Sequence, residues 1–242
     1  MEELSRNAAL LQTIVENSRH IVFFGGAGVS VESGIPDFRS ADGIYNKKWK
    51  YPPETVLSRS FFDTHTEDFY TFYREKMIHP HAKPNPAHIA LAEWERKGKS
   101  VSIVTQNIDG LHQMAGSNVV YQLHGSVHRN FCMSCGASYG LSAITGCEGV
   151  PRCTCGGIIK PRVVLYEEPL EDETVTNAVN AIASADTLII AGTSLRVYPA
   201  AGLIRYFGGE TLVYIDPNAS PMRGAVTMPH PVGKLFENIH IT

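Results

Sequence analysis

The sequence predicts an α/β fold: one parallel sheet covered by helices on both faces, with two segments of a different kind inserted into it. Short, nearly continuous apolar runs alternate with stretches of helical periodicity, which is typical of parallel strands buried on both faces. Polar loops that contain glycine follow four of these runs. All five cysteines fall in one 24-residue window, from Cys132 to Cys155. These observations predict a sheet with a ligand-binding edge and a separate cysteine-rich module.

The apolar runs predict buried strands, and the periodic stretches predict the helices between them. The predicted strands are 20–24, 101–105, 119–123, 187–192 and 211–215, and the predicted helices are 3–18, 86–97, 172–184 and 199–207. Ligands of open parallel sheets bind at the carboxyl ends of the strands. The polar loops "GGAG", "TQNIDG", "LHGS" and "GTSL" all fall at such ends, so we expect a single binding site there.

Two stretches break the alternation and are predicted to be insertions. Residues from about 40 to 83 are rich in aromatic side chains and are expected to form a helical insert, whereas 126–165 hold the cysteines and show little periodicity. We therefore expect one domain, 1–242. Its Rossmann-like large part comprises about 1–39, 84–125 and 166–242.

Composition and charge argue against several classes of partner. The net charge is −3, so there is no general electrostatic attraction to nucleic acid. The start of the chain, "MEELSRNAALLQ", lacks the basic and apolar regions of a signal peptide. No apolar run approaches the length that spans a membrane. We expect a cytoplasmic protein with neither a nucleic-acid nor a membrane partner.

The cysteines predict a zinc site, because clustered cysteines in a reducing compartment bind metal more readily than they form disulfides. Cys132 and Cys135 form a C-x-x-C pair, and 17 residues separate Cys135 from Cys153. This resembles the spacing of tetrahedral zinc sites, although Cys153-Thr154-Cys155 is one residue short. Cys147 therefore competes with Cys153 as a ligand. The two glycines that follow Cys155 favour Cys153 and Cys155, since a tight knuckle needs their backbone freedom.

The glycine-rich turn in "FFGGAGVSVESGIPDFRS" (23–40) indicates a nucleotide site of an uncommon kind. Gly26 and Gly28 would let a phosphate approach backbone N–H groups. Val31 stands where a dinucleotide-binding dehydrogenase has its third glycine, and no acidic residue ends a second strand about 20 positions on. A hydride-transferring dehydrogenase is therefore disfavoured. We expect the 37–39 string to build the far side of the site.

The other loops offer groups suited to a nucleotide and a peptide. Gln106, Asn107 and Asp109 could hydrogen-bond ribose hydroxyls and a carboxamide, although such residues also cap loops. His124 directly follows a strand, and the pKa of histidine, about 6.5, suits a general base. The turn 192–194 could bind phosphate or merely cap a helix. "VVLYEE" (163–168) has strand character and could pair with an extended peptide or lie within the sheet.

Five motifs in this order resemble the signatures of the sirtuins, the NAD-dependent protein deacylases, in their bacterial form. They are "GAGVSVESGIPDFR" (26–39), "TQNIDGLH" (105–112), "HGS" (124–126), "KPRVVLYEE" (160–168) and "GTSLRVYPA" (192–200). The resemblance covers nearly the whole chain from about residue 20, and it places the second cysteine pair just before "GGIIKPRVV".

The resemblance implies NAD as a co-substrate, an acyl-lysine protein or peptide as the partner, and one structural zinc ion. It implies His124 and Asn107 as the catalytic residues, with His124 as the base. The residues implied for NAD are Gly26, Ala27, Gly28, Ser30, Val31, Pro36, Asp37, Phe38, Arg39, Gln106, Asn107, Ile108, Asp109, His124, Gly192, Thr193, Ser194, Asp216, Pro217 and Asn218. Those implied for the substrate are Val164, Leu165, Tyr166, Glu168 and Val197, and those for zinc are Cys132, Cys135, Cys153 and Cys155.

The implied reaction transfers an acyl group from lysine to ADP-ribose and releases nicotinamide and O-acetyl-ADP-ribose. Two alternatives are an NAD-dependent protein ADP-ribosyltransferase and a non-catalytic module that binds NAD or ADP-ribose. Val31 and Asp216 depart from the residues that sirtuins commonly have at these positions. Tyr70, Phe72 and Tyr73 are expected to form an apolar wall for the acyl group, which favours acetyl over succinyl.

Overall fold

The main element of the fold is a six-stranded parallel sheet in the order β3-β2-β1-β7-β8-β9. The computed structural model describes residues 2–38, 40, 43–46 and 49–239. Its strands are β1 (His20–Gly25), β2 (Ser100–Thr105), β3 (Val120–Gln122), β4 (Gly125–Cys132), β5 (Ser138–Tyr139), β6 (Ile159–Val163), β7 (Thr187–Ala191), β8 (Thr211–Ile215) and β9 (Ala225–Met228). β1 lies centrally, with Phe23 opposite Ile103 on one side and Ile189 on the other.

Helices cover both faces of this sheet, as the continuous apolar strands predict. The α-helices of the described residues, including those of the two insertions, are α1 (Glu2–Asn17), α2 (Pro53–Val56), α3 (Arg59–Thr64), α4 (Thr66–Lys76), α5 (Pro86–Arg96), α6 (Leu111–Ala115), α7 (Ser142–Thr145), α8 (Asp172–Ser184) and α9 (Val232–Phe236). Phe23 of β1 packs with side chains of α1, α5 and α9, whereas its neighbour Phe24 packs with side chains of α8 on the opposite face. Alternate side chains of one strand therefore pack into two different hydrophobic cores, one on each face of the sheet.

A third core joins the helical insert to the cysteine-rich module. The module contains a small antiparallel sheet in the order β5-β4-β6. Phe61 of α3 and Phe69 of α4 share a buried cluster with Val127 of β4 and Ile159 of β6. The Tyr70 hydroxyl donates to the Ile159 carbonyl. The two insertions, although separate in the sequence, therefore pack as one body.

Two predictions about elements need correction, and one strand was missed. The strand predicted over 163–168 continues β6 only to Val163, and beyond it the chain is irregular apart from an isolated bridge between Tyr166 and Ser58. The helix predicted over 199–207 is a 3₁₀ helix, Ala200–Tyr206. β9 had not been predicted, because its run is short and only half-buried. Within the part of the chain that the structure describes, no helix is long and apolar enough to span a bilayer.

Candidate active site

The carboxyl ends of the central strands border a cavity of about 320 Å³. It extends from the loops after β1 and β2 to the helical insert and the chain after β6. The predicted site residues that line it are Ala27, Ser30, Pro36, Phe38, Gln106, Asn107, Ile108, Asp109, His124, Val164, Leu165, Tyr166, Glu168 and Val197. Groups predicted for the nucleotide and groups predicted for the peptide thus share one cavity.

The other residues predicted for NAD that the structure describes lie outside this lining. They are Gly26, Gly28, Val31, Asp37, Gly192, Thr193, Ser194, Asp216, Pro217 and Asn218. Most of them follow the carboxyl ends of β1, β7 and β8. Arg39, which was also predicted, lies outside the described residues.

The two glycine turns touch each other, which gives Gly26 and Gly28 a structural reason of their own. The Gly28 N–H donates to the Gly192 carbonyl at 2.8 Å. A Cβ atom on Gly28 would lie 2.7 Å from the Gly192 Cα, and one on Gly26 would lie 2.6 Å from the Thr193 Cβ. Side chains at these positions would push the two loops apart. The close contact therefore builds one continuous backbone surface from the turns after β1 and β7.

The loop after β2 is fixed to the glycine turn by its own polar side chains. The Asn107 amide Nδ2 donates to the Gly26 carbonyl at 3.0 Å and to Ser30 Oγ at 3.1 Å. The buried Ser30 hydroxyl in turn donates to Asp109 Oδ2 at 2.7 Å. Gln106 Nε2 donates to Thr193 Oγ1 at 3.2 Å. This network positions amide and carboxylate groups at the cavity wall before a ligand binds.

His124 sits in the cavity with a defined tautomer. Its Nδ1 lies 3.0 Å from the Gln106 carbonyl oxygen, which can only accept, so Nδ1 carries the proton. Nε2 is then the free acceptor. Burial lowers the pKa of His124, and the hydrogen bond to Gln106 partly opposes that shift. The ring is therefore neutral at pH 7 and able to take a proton.

Asp216 follows β8 and is one of the residues that the resemblance implies for NAD. The Asn218 N–H donates to Asp216 Oδ1 at 2.8 Å. Burial raises the pKa of Asp216; the Asn218 N–H lowers it, and the nearby charge of Asp37 raises it further. A buried carboxylate with a raised pKa beside a second carboxylate favours a hydroxyl-bearing ligand over an anionic one.

The helical insert supplies part of the cavity wall, and the sequence predicted only some of the residues that form it. Tyr73, Met77 and Ile78 line the cavity, but Tyr70 and Phe72 do not, so the predicted wall is wrong for those two. Burial raises the pKa of Tyr73 far above its usual value, and its hydroxyl stays neutral. The apolar residues at the end of α4 were the available signal, but helical periodicity alone does not show which face meets the sheet.

Arg74 is directed away from the cavity. Its Nε donates to the Ile144 carbonyl at 2.8 Å and its Nη2 donates to the Gly149 carbonyl at 2.5 Å. The guanidinium also lies 5.4 Å from the Tyr70 ring centroid. These contacts hold the Arg74 guanidinium against the cysteine-rich module, whereas Lys76 of the same helix is among the residues that line the cavity.

Four of the five cysteines meet at one point, as predicted. The Sγ atoms of Cys132, Cys135, Cys153 and Cys155 all lie within 4.8 Å of one another. The Cys132–Cys155 and Cys135–Cys153 pairs are 3.5 Å and 3.6 Å apart. A tetrahedron of sulfurs at about 2.3 Å from zinc has edges of roughly 3.8 Å, so the cluster fits a zinc ion with no open position. Cys147 lies outside this group and contacts Arg74 instead.

Gly157 and Tyr139 support the cysteine cluster. A Cβ atom on Gly157 would lie 2.7 Å from Cys132 Sγ, so only glycine fits there. The Tyr139 hydroxyl donates to Cys153 Sγ at 3.0 Å, a contact that orients a thiolate ligand from outside the metal's own shell.

Fold and site together are those of a Rossmann-like enzyme with a histidine in the cavity at the sheet edge and a module whose four cysteines are placed to hold zinc. The chain belongs to the Sir2 family, whose model matches residues 26–199. It is 57% identical over 235 residues to an NAD-dependent protein deacetylase of Clostridium acetobutylicum, covering 95% of this chain and 96% of that protein. It is 59% identical over 214 residues to the protein of the same name from Clostridium perfringens, covering 87% and 88%.

Solved structures give the same family. One is a histidine-to-alanine variant of Sir2 with deacetylated p53 peptide and 3′-O-acetyl ADP ribose; it has a TM-score of 0.85 and 36% identity, covering 95% of this chain and 96% of that one. Another is a Sir2–p53 peptide–NAD⁺ complex with a TM-score of 0.80 and 36% identity, covering 94% of each chain.

Proposed function

We propose that this protein is an NAD-dependent protein-lysine deacetylase that transfers the acyl group to ADP-ribose and releases nicotinamide and O-acetyl-ADP-ribose. The single observation that carries the proposal is the position of His124. Its unprotonated Nε2 is available in the same cavity that Asn107, Asp109 and Tyr166 line. Close relatives are named NAD-dependent protein deacetylases, and related structures are described as complexes with NAD⁺ and with acetylated peptide.

NAD supplies the ribose carbon that loses nicotinamide and the hydroxyl that receives the acyl group. We assign its nicotinamide end to Ala27, Pro36, Phe38, Ile108 and Asp109, which line the cavity beside His124. We assign its phosphates to the joined turns of Gly26, Ala27, Gly28, Gly192, Thr193 and Ser194, where backbone N–H groups and hydroxyls cluster. Its adenine end is assigned to the loop 216–218.

Asn107 is proposed to hold the reacting ribose. Its amide Nδ2 is bound to Gly26 and Ser30. Among the described residues no donor contacts its Oδ1, which can therefore accept from a ribose hydroxyl. This arrangement fixes the sugar against the acyl carbonyl, and fixed orientation contributes much of the rate in such reactions.

His124 is proposed to remove the proton from the attacking ribose hydroxyl. Its neutral ring accepts that proton at Nε2 while Nδ1–H stays bonded to Gln106, so the charge that forms is partly balanced by the carbonyl dipole. The four cysteines would hold a structural zinc ion that keeps the cysteine-rich module folded, remote from proton transfer.

A cytoplasmic location also stays a proposal. It rests on the clustered cysteines, because a reducing compartment would keep them as thiolates able to bind metal.

One assay tests the proposed function. The protein is incubated with an acetyl-lysine peptide, with and without NAD, and the products are identified by mass spectrometry. We expect free lysine peptide, nicotinamide and O-acetyl-ADP-ribose only when NAD is present. ADP-ribose attached to the protein without deacetylation would instead identify an ADP-ribosyltransferase, and no turnover of NAD would indicate a binding module.

A further inference from the structure

The segment that follows β6 ends in two consecutive glutamates, Glu167 and Glu168, whose carboxylates face the helical insert. The peptide segment, defined here as residues 164–168, lines the cavity throughout. Its backbone is attached to two different parts of the fold: the Val164 N–H donates to the His124 carbonyl at 3.0 Å, and the Tyr166 N–H donates to the Leu57 carbonyl at 2.9 Å. The segment therefore bridges the loop of the proposed base and the helical insert.

Both carboxylate oxygens of Glu168 are occupied within the protein. Oε1 accepts from Arg59 Nη1 at 3.1 Å. Oε2 accepts from Lys160 Nζ at 3.1 Å and from the Leu165 N–H at 2.9 Å. Burial alone would raise the pKa of Glu168, but the Leu165 N–H, Lys160 and Arg59 together hold it below its usual value. The carboxylate is thus charged and fully engaged with its own chain.

The partners of Glu168 come from both sides of the peptide segment. Lys160 belongs to β6 and is only 4% exposed, and its ammonium also donates to the Val163 carbonyl at 3.3 Å. Arg59 begins α3, and its backbone N–H donates to the Tyr166 carbonyl at 3.0 Å. Arg59 does not line the cavity. One carboxylate therefore ties a strand, a helix and the peptide segment together.

Glu167 holds the same segment in an uncommon backbone conformation. Its φ is 77°, in the left-handed region that side-chain-bearing residues rarely occupy. Its carboxylate accepts from the Ser60 N–H at 2.8 Å and from Ser60 Oγ at 2.9 Å. A non-glycine residue stays in the left-handed region only when several surrounding contacts hold its backbone there. Neighbouring glutamates thus engage neighbouring residues of α3.

We propose that Glu168 is a positioning residue for the acyl-lysine peptide: with Arg59 and Lys160 it sets the shape of the peptide segment and its distance from His124. This reassigns Glu168, which the sequence predicted as a direct substrate ligand. The inference rests on the proposed function, because it concerns the peptide side of the same cavity.

The experiment compares two acetyl-lysine peptides, one flanked by arginines and one by glutamates. A direct ligand would discriminate between them by charge, whereas a positioning residue would not. The variants are Glu168→Gln, which removes the charge, and Arg59→Gln, which changes a residue outside the cavity and removes one partner of Glu168. Asp63→Asn is the matched control, because Asp63 pairs with the same guanidinium at 2.9 Å but does not contact the peptide segment.

We expect Glu168→Gln and Arg59→Gln to raise KM for both peptides by the same factor, on the order of tenfold, which is less than the ~10²-fold that a 1 Å misplacement can cost. KM for NAD and kcat at saturating peptide should change less than KM for peptide, and Asp63→Asn should match the wild type. A purely structural role would lower the active fraction and kcat without changing KM.

Two results would overturn the proposal. One is a loss confined to the arginine-flanked peptide in Glu168→Gln, with unchanged or tighter binding of that peptide in Arg59→Gln. The other is an unchanged peptide KM in Arg59→Gln. Arg59 is half-exposed, so this variant still tests the proposal if Glu168→Gln does not fold. Failure of the wild type to form O-acetyl-ADP-ribose would refute the proposed function instead.

Discussion

The Nδ1 atom of His124 lies 3.0 Å from the carbonyl oxygen of Gln106. Because Gln106 also contacts Thr193 through its side chain, the orientation of the imidazole is linked to the loops after both β2 and β7. The ring is set as an acceptor at Nε2 before a substrate arrives.

Replacing His124 tests its role directly. We expect His124→Ala to lose deacetylation by about 10²–10⁴-fold, the usual contribution of a general base, while zinc content and thermal unfolding stay close to the wild type. The matched control is His81→Ala, which changes an exposed histidine. Turnover above about a tenth of the wild-type rate in His124→Ala would refute the assignment.

The pH dependence follows from the environment of the same ring. Burial lowers the pKa of His124, so the base stays deprotonated at pH values where an ordinary histidine, with a pKa of about 6.5, is protonated. The acid limb of kcat/KM should therefore lie below pH ~6.5. A profile of initial rates over a range of buffers measures it. An acid limb at or above that value would contradict the burial argument.

The zinc ligands can be separated from the fifth cysteine. We expect Cys153→Ser to lose bound zinc and thermal stability, because three thiolates leave the tetrahedral site incomplete. Cys147→Ser should keep its zinc, since Cys147 lies outside the sulfur cluster. Metal analysis of the two purified variants decides the point, and the reverse pattern would overturn the ligand assignment.

The preference for the acyl group follows from the orientation of Arg74. We expect higher catalytic efficiency on an acetyl peptide than on a succinyl peptide of the same sequence. The guanidinium of Arg74 is bound to the Ile144 and Gly149 carbonyls, not to the cavity, so it is not available to a succinyl carboxylate. Arg74→Ala should leave the acetyl-to-succinyl ratio unchanged. A succinyl preference that Arg74→Ala abolishes would show that this side chain reaches the substrate.

The contact between the glycine turns predicts a position that does not tolerate a methyl group. In Gly28→Ala the new Cβ would meet the Gly192 backbone at 2.7 Å, and overpacking of this kind costs about 1–3 kcal/mol. We expect weaker NAD binding by calorimetry and a lower Tm. Gly140→Ala is the control, because no atom lies within 4 Å of its added Cβ and its φ is not positive. Equal effects in the two variants would disprove the steric explanation.

The sequence predicted the sheet and the loops at its edge well, because both depend on local patterns. The apolar run around Phe23 forms β1, and the polar groups of Asn107 and His124 follow the ends of β2 and β3, where parallel topology brings them together. The cysteine cluster was recognisable from its spacing, although spacing left Cys147 competing with Cys153, and the glycines after Cys155 and the family resemblance were needed to choose between them.

Features set by tertiary packing were harder to predict. The run "VVLYEE" has high strand propensity, but the N–H groups of Val164 and Tyr166 are taken by His124 and Leu57, which belong to different elements. These contacts override the local preference of the segment. The cavity wall formed by Tyr73 and Met77 likewise depends on how α4 docks, and no local pattern encodes that.

The core shared by the two insertions has a consequence for how the molecule opens. Phe61 and Phe69 pack against Val127 and Ile159, so separating the helical insert from the cysteine-rich module would expose apolar surface on both. Contiguous packed regions of this kind open as cooperative units with their own free energy. We therefore expect the cysteine-rich module and the helices beside the cavity to form a single unit of local unfolding. Zinc binding to the cysteine cluster would then also stabilise the helical insert against local unfolding. The parallel sheet has its own two cores, one on each face, and would not share this effect.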